Sequence, residues 1–90
     1  IMIAFIGDRA KHYALNLVQY LRHNHVRAIV DTQERNLKGQ MKYSNKVGVK
    51  YSIVIGDDEI ESGELTLKNM ETGEQTKIVK EEILDKIRRG

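Results

Sequence analysis

The feature that most constrains this chain is a change of hydrophobic period, from strand-like to helix-like and back, repeated between Ile1 and Gly56. Ile1 to Gly7 is an apolar run closed by Gly-Asp, the pattern of a buried strand. From Ala10 the apolar positions are Ala10, Tyr13, Ala14, Leu17, Val18 and Leu21. They step by three and four, which is the stripe of an amphipathic helix lying on a sheet. Asp8 is placed to cap that helix, and His23-Asn24-His25 ends it, with Asn24 as the left-handed stop. Val26 to Asp31 follows as a second strand, its β-branched Val26, Ile29 and Val30 suited to a sheet. Thr32 to Arg35 is a polar connection. A second helix is predicted from Asn36 to Val47, with Leu37, Met41 and Ser44 facing inward and Gly48 as its stop. Gly39 lies inside this helix at a cost of roughly 1 kcal/mol relative to alanine. Tyr51 to Gly56 reads as a third buried strand.

The remainder has a different rhythm. Leu65 to Met70 alternates like a half-buried strand, Glu71 to Glu74 (Glu-Thr-Gly-Glu) is a tight turn, and Thr76 to Lys80 returns as its partner. Glu81 to Arg89 closes the chain as a short helix, acids in its first turn and bases in its last, as the helix dipole prefers. Right-handed crossovers make the first three strands parallel, in the order 2-1-3. The hairpin then adds strands four and five beside strand three. The predicted fold is α/β, a three-layer arrangement around a mixed five-stranded sheet of order 2-1-3-4-5. Strand four is antiparallel, and helices lie on both faces. All 90 residues form one domain, without repeat or linker.

Composition excludes several classes. No apolar run approaches the roughly 20 residues of a membrane span, and no signal peptide opens the chain. There is no cysteine, which removes disulfides and thiolate metal sites. His23 and His25 do not share a helix face, and His12 reads as a surface residue, so no metal site is expected. No serine, cysteine or carboxylate pair stands at nucleophile spacing from a base, so no catalytic residue is assigned.

The net charge of +2 hides a segregation. Residues 35–50 carry Arg35, Lys38, Lys42, Lys46 and Lys50 with no acid, while residues 57–64 carry Asp57, Asp58, Glu59, Glu61 and Glu64 with no base. In a sheet of this order, ligands bind beyond the carboxyl ends of the parallel strands. The loops there are Gly7 to Arg9, Thr32 to Arg35 and Gly56 to Glu59. A dinucleotide would need a glycine-rich turn after the first strand, and only Gly7 is present. A phosphoacceptor domain of the response-regulator kind would use Asp8, Asp57, Asp58 and Lys80, but residues 57–75 leave no room for the helices it needs. Nucleic acid remains. Arg35 and Lys38 can reach a phosphate from the start of the second helix, with Lys42 and Lys46 mainly a solvated face. The carboxylates of the acidic loop can accept hydrogen bonds from base edges, which carry sequence information that phosphates do not.

Asp31, Arg35 to Gly48, Tyr51 to Ile60, Ser62-Gly63 and Leu67 to Gln75 together resemble the C-terminal domain of histidyl-tRNA synthetases. Ile-Gly-Asp-Asp-Glu at residues 55–59 also recurs in the prolyl, threonyl and glycyl relatives. The resemblance implies an anticodon-binding domain that recognises the anticodon loop of a histidine tRNA, with no DNA or membrane partner. It implies that tRNA charging with ATP, magnesium and histidine belongs to an N-terminal catalytic domain whose motifs are absent from this sequence. The chain itself would then need no cofactor, and the parent ligase would be a cytoplasmic homodimer. In a related threonyl enzyme, an acid of the Gly-Asp-x-Glu loop and a base on the following strand touch anticodon bases; the matching positions are Glu59 and Lys68. The turn after the second strand lies near the anticodon in that group, which points to Gln33, Glu34 and Arg35. The sequence departs from the family at Gly39, where lysine or alanine is common, and at Gln33-Glu34, where smaller residues are usual. The competing reading is a synthetase-like paralogue, a regulatory subunit of histidine biosynthesis or the sensing domain of a kinase, using the same fold to bind another ligand.

Overall fold

Beyond Ile3 the first strand outruns its neighbour, and the way its backbone is satisfied there organises one edge of the molecule. In the computed structural model, which describes residues 1–31 and 36–89 (the side chain of residue 89 aside), β1 spans Met2–Phe5 and β2 only Ile29–Val30. The pairing is parallel, Met2 with Ile29 and Ile3 with Val30. Among the described residues, Phe5 therefore has no strand on that side. Gln40 of α2 (Leu37–Val47) fills the gap: its Oε1 accepts from Phe5 N at 2.9 Å and its Nε2 donates to Phe5 O at 2.8 Å. A side-chain amide carries the same donor and acceptor as a peptide unit, so it can stand in for one. The second strand is thus shorter than the predicted Val26–Asp31. The inward polar residues of α2 are Gln40 and Ser44, with Leu37 and Met41 only half-buried. Asn36 caps this helix, its side chain accepting from Gly39 N at 2.9 Å.

The remaining elements are α1 (Asp8–His23), β3 (Tyr51–Ile55), α3 (Asp57–Ser62), β4 (Glu64–Asn69), β5 (Gln75–Val79), a 3₁₀ turn at Lys80–Glu82 and α4 (Ile83–Arg89). The sheet order is β2-β1-β3-β4-β5, with β1 parallel to β2 and β3, and β4 antiparallel to both its neighbours. That is the predicted mixed sheet. Alternate residues of the strands, Ile3, Phe5, Ile53, Ile55, Leu65, Leu67 and Ile78, form the core with Ala10, Ala14, Leu17, Val18 and Leu21 of α1 and Ile83 of α4. The stripe read from the sequence is the buried face of α1. On the opposite face α2 lies over β1. The same face of β4 and β5 stays open, with Thr66 and Lys68 half-buried and Gln75, Lys77 and Val79 exposed.

Details at two helix ends differ from expectation. Gly7, with φ 90, is the cap residue of α1, and Asp8 is its first helical residue. At the other end the left-handed residue is His25, φ 66, while Asn24 keeps φ −98. Val26 N donates to Leu21 O at 2.9 Å and His25 N to Arg22 O at 3.0 Å. This paired closure demands the left-handed turn one residue after Asn24.

Candidate nucleic-acid interface

The acidic segment, read from sequence as a loop, is a helix. Asp57, Asp58 and Glu59 occupy the first turn of α3, where the positive end of the helix dipole favours carboxylates. Gly63, at φ 77, stops it by donating to Glu59 O at 2.9 Å. No residue of α3 is buried; Ile60 is partly so and packs on the core. Arg9 of α1 ties it laterally, with Nη1 3.8 Å from Asp57 and 3.6 Å from Glu61. Both pairs are largely exposed. Lys80, the lysine of the phosphoacceptor-like set, lies over the Tyr20 ring at 4.5 Å from its centroid.

Between α3 and the open face of the sheet runs a groove of about 610 Å³. Asp58, Glu59, Glu61 and Ser62 line one wall, and Glu64, Thr66 and Lys77 the other. Thr66 pairs with Lys77 across the β4–β5 ladder, and Lys68 pairs with Gln75 two steps further from the edge. Glu59 is half-buried, its carboxylate folded back over the helix start, 3.8 and 4.0 Å from where a Cβ on Gly56 would sit. Lys68 shares the open face but does not line the groove. Lys38 is exposed in the first turn of α2. Beside its neighbours Asn36 and Leu37, a second cleft of about 390 Å³ also takes in Phe5, Ile6, Gly7, Asp8 and Lys11. Ile6 N donates to Ile55 O at 2.9 Å, joining this cleft to the strand that leads into α3. Gln33, Glu34 and Arg35 lie outside the described residues.

Sequence reading missed Lys77, although the signal was present. Counting outward from the Glu71–Glu74 turn pairs it with Thr66, opposite in phase to the apolar Ile78. Among the described residues no group of three His, Cys, Asp or Glu side chains could hold a metal ion, and no helix is long and apolar enough to cross a membrane. A cleft of about 620 Å³ at the far edge, lined by Arg22 and residues 25–29, is mostly apolar and contains no carboxylate. Carboxylates accept and ammonium groups donate, so the first groove offers a base edge both kinds of partner, whereas the charged side chains of this far cleft can only donate.

Comparison with known proteins agrees with this fold. The family model described as "Anticodon binding domain" matches residues 1–90. The chain is 50% identical over 88 residues to the histidine–tRNA ligase of Acetivibrio thermocellus, covering 98% of this chain and 21% of that protein. Apo S. aureus histidyl-tRNA synthetase superposes with a TM-score of 0.89 at 41% identity, over 94% of this chain and 25% of that one. The RNA binding domain of threonyl-tRNA synthetase from Cryptosporidium parvum Iowa II superposes at 0.87 with 18% identity, over 98% of this chain and 22% of that one, a likeness of fold. The chain spans about a fifth of the length of the curated relatives it matches.

Proposed function

The chain belongs to the anticodon-binding domain family, and from that premise we propose that it reads the anticodon loop of a histidine tRNA for a histidine–tRNA ligase. The observation that carries this reading is the carboxylate-lined groove at the carboxyl edge of the sheet. A purely phosphate-binding surface would be basic; carboxylates are useful where base N–H groups must be recognised. In this reading Glu59 accepts from a base, and Lys68, on the same open face, contacts the nucleotide beside it. Lys38 neutralises a phosphate at the start of α2, with Gln33, Glu34 and Arg35 on the connection before it. The parent protein would bind ATP and magnesium and form histidyl-tRNA in a catalytic domain elsewhere, as a cytoplasmic homodimer. The regulatory-paralogue reading gains no support from the relatives, which bear ligase names.

Binding of anticodon stem-loops tests the assignment. Two to four phosphate contacts on a partly single-stranded loop give a log–log salt slope of roughly −1.5 to −3.5. Glu59→Gln keeps the shape, removes the charge and exchanges one acceptor for a donor. It should cost about 1–3 kcal/mol against the cognate loop and relax discrimination at one position. Lys38→Ala should weaken all loops about equally and flatten the salt slope by about 0.7–0.9. If Glu59→Gln binds every loop more tightly with discrimination unchanged, Glu59 serves only the helix start and the assignment fails.

A further inference from the structure

The groove under α3 gathers four carboxylates, Asp58, Glu59, Glu61 and Glu64, and a single ammonium group, that of Lys77. We propose that Lys77 is a specificity-determining residue, whose ammonium group donates to a carbonyl oxygen of the base whose N–H groups Glu59 accepts. The inference rests on the anticodon-reading function proposed above and adds to it a residue and a class of base.

Placement is the first argument. The ladder pairs Lys77 with Thr66, two pairs in from the last, Glu64 with Val79, so it faces the groove from the strand floor while Glu59 faces it from the helix wall. Lys68 is two pairs further along and outside the groove. Availability is the second. Although acids surround it, Lys77 forms no ion pair among the described residues, where Arg9 takes the nearby Asp57 and Glu61.

Electrostatics supplies the third argument. A phosphate entering this groove would meet four negative charges and one positive. It would be repelled, whereas a neutral base would not. The group that meets Lys77 is therefore an uncharged acceptor. A carboxylate can only accept and an ammonium can only donate. Together they ask for an edge with an N–H beside an acceptor, and a carbonyl oxygen, with its partial negative charge and two lone pairs, takes an ammonium donor better than the single lone pair of a ring nitrogen. Guanine and uracil have an imino N–H beside a carbonyl. Adenine has no carbonyl, and in cytosine a ring nitrogen acceptor separates the amino group from the carbonyl.

The test uses the full chain and anticodon stem-loops in which each loop base is changed in turn between keto and amino types. Lys77→Leu should lower affinity for the cognate loop about 5- to 30-fold and abolish the keto preference at one position. Lys77→Gln should keep most of that preference, because its amide can still donate to a carbonyl. The loss in the Glu59→Gln, Lys77→Leu double variant should fall short of the product of the single losses, since both act on one base. Equal weakening of all loops by Lys77→Leu, or no change, overturns the inference. If Glu59→Gln alters discrimination while Lys77→Leu does not, the lysine role alone falls. If neither variant alters discrimination, the reading of the groove as a base site falls with it.

Discussion

At the end of β1 the backbone is held by uncharged hydrogen bonds in the interior, whereas α3, just beyond the adjacent end of β3, has no buried residue and is tied down by surface charges. Both lie on the carboxyl edge, where the parallel strands point their ends at a ligand. The first is rigid because breaking it strands polar groups away from water. The second is bounded by Gly63 and weak surface pairs, so it can adjust to what enters the groove beneath it. A rigid frame beside an adjustable acidic wall is a reasonable division of labour for reading a flexible loop of RNA.

The largest effect that could break this contrast lies at Gln40. Gln40→Leu keeps an apolar side chain of similar length in the interior but removes both partners of Phe5. An unsatisfied buried N–H or C=O costs about 1–3 kcal/mol. A loss of roughly 2–4 kcal/mol in urea unfolding is expected, with a Tm drop on the order of 10–20 °C for a domain of this size. A loss below about 1 kcal/mol would mean that repacking or water replaces the amide, and the rigid half of the comparison would be wrong.

A smaller effect sharpens the other half. Gly63 has φ 77, and a Cβ there would meet nothing within 4 Å. Gly63→Ala therefore carries only the conformational penalty of the left-handed region, about 1 kcal/mol. Because α3 buries no residue, the penalty should appear as local opening. Hydrogen exchange of residue 63, whose N–H reaches Glu59 O at 2.9 Å, should accelerate about fivefold with little change in global stability. If instead the whole penalty appears in global unfolding, α3 is coupled to the core more tightly than its burial indicates.

Much of this was legible in the sequence. The crossover stripe Ala10 to Leu21, the β-branched strands and the Glu71–Glu74 turn were enough to give the strand order and the antiparallel fourth strand. Two things were hidden for physical reasons. A helix of six residues made mostly of acids has too little apolar content to show a period, so α3 read as a loop. That Gln40 replaces a strand backbone beside Phe5 was hidden as well, because no local pattern announces a side chain that imitates a peptide. Of the site, Glu59 lines the groove, whereas Lys68, named with it from the resemblance, stands two ladder pairs away from the lysine that does.

The smallest expected effect concerns Arg9, and it asks whether surface charge positions α3. Its two contacts, 3.8 and 3.6 Å long, join side chains more than half exposed. Exposed pairs of this kind contribute about 0–1 kcal/mol, so Arg9→Ala should change global stability by less than about 0.5 kcal/mol. Its effect on RNA should be larger than its effect on folding. Removing one positive charge from the carboxyl edge leaves Asp57 and Glu61 uncompensated, and the added negative field opposes every stem-loop. Affinity should fall a few-fold at low salt and recover towards the parent value as the Debye length shrinks below about 10 Å. Arg9→Lys keeps the charge and should restore most of the affinity, although an ammonium lacks the planar geometry that holds the guanidinium Nη1 near both acids. If Arg9→Ala alters discrimination among loops at high salt as well, Arg9 sets the angle of the Glu59 wall and α3 is less adjustable than its exposure implies. If affinity stays at the parent value even at low salt, the field at this edge does not act on the RNA, and the bound loop passes elsewhere.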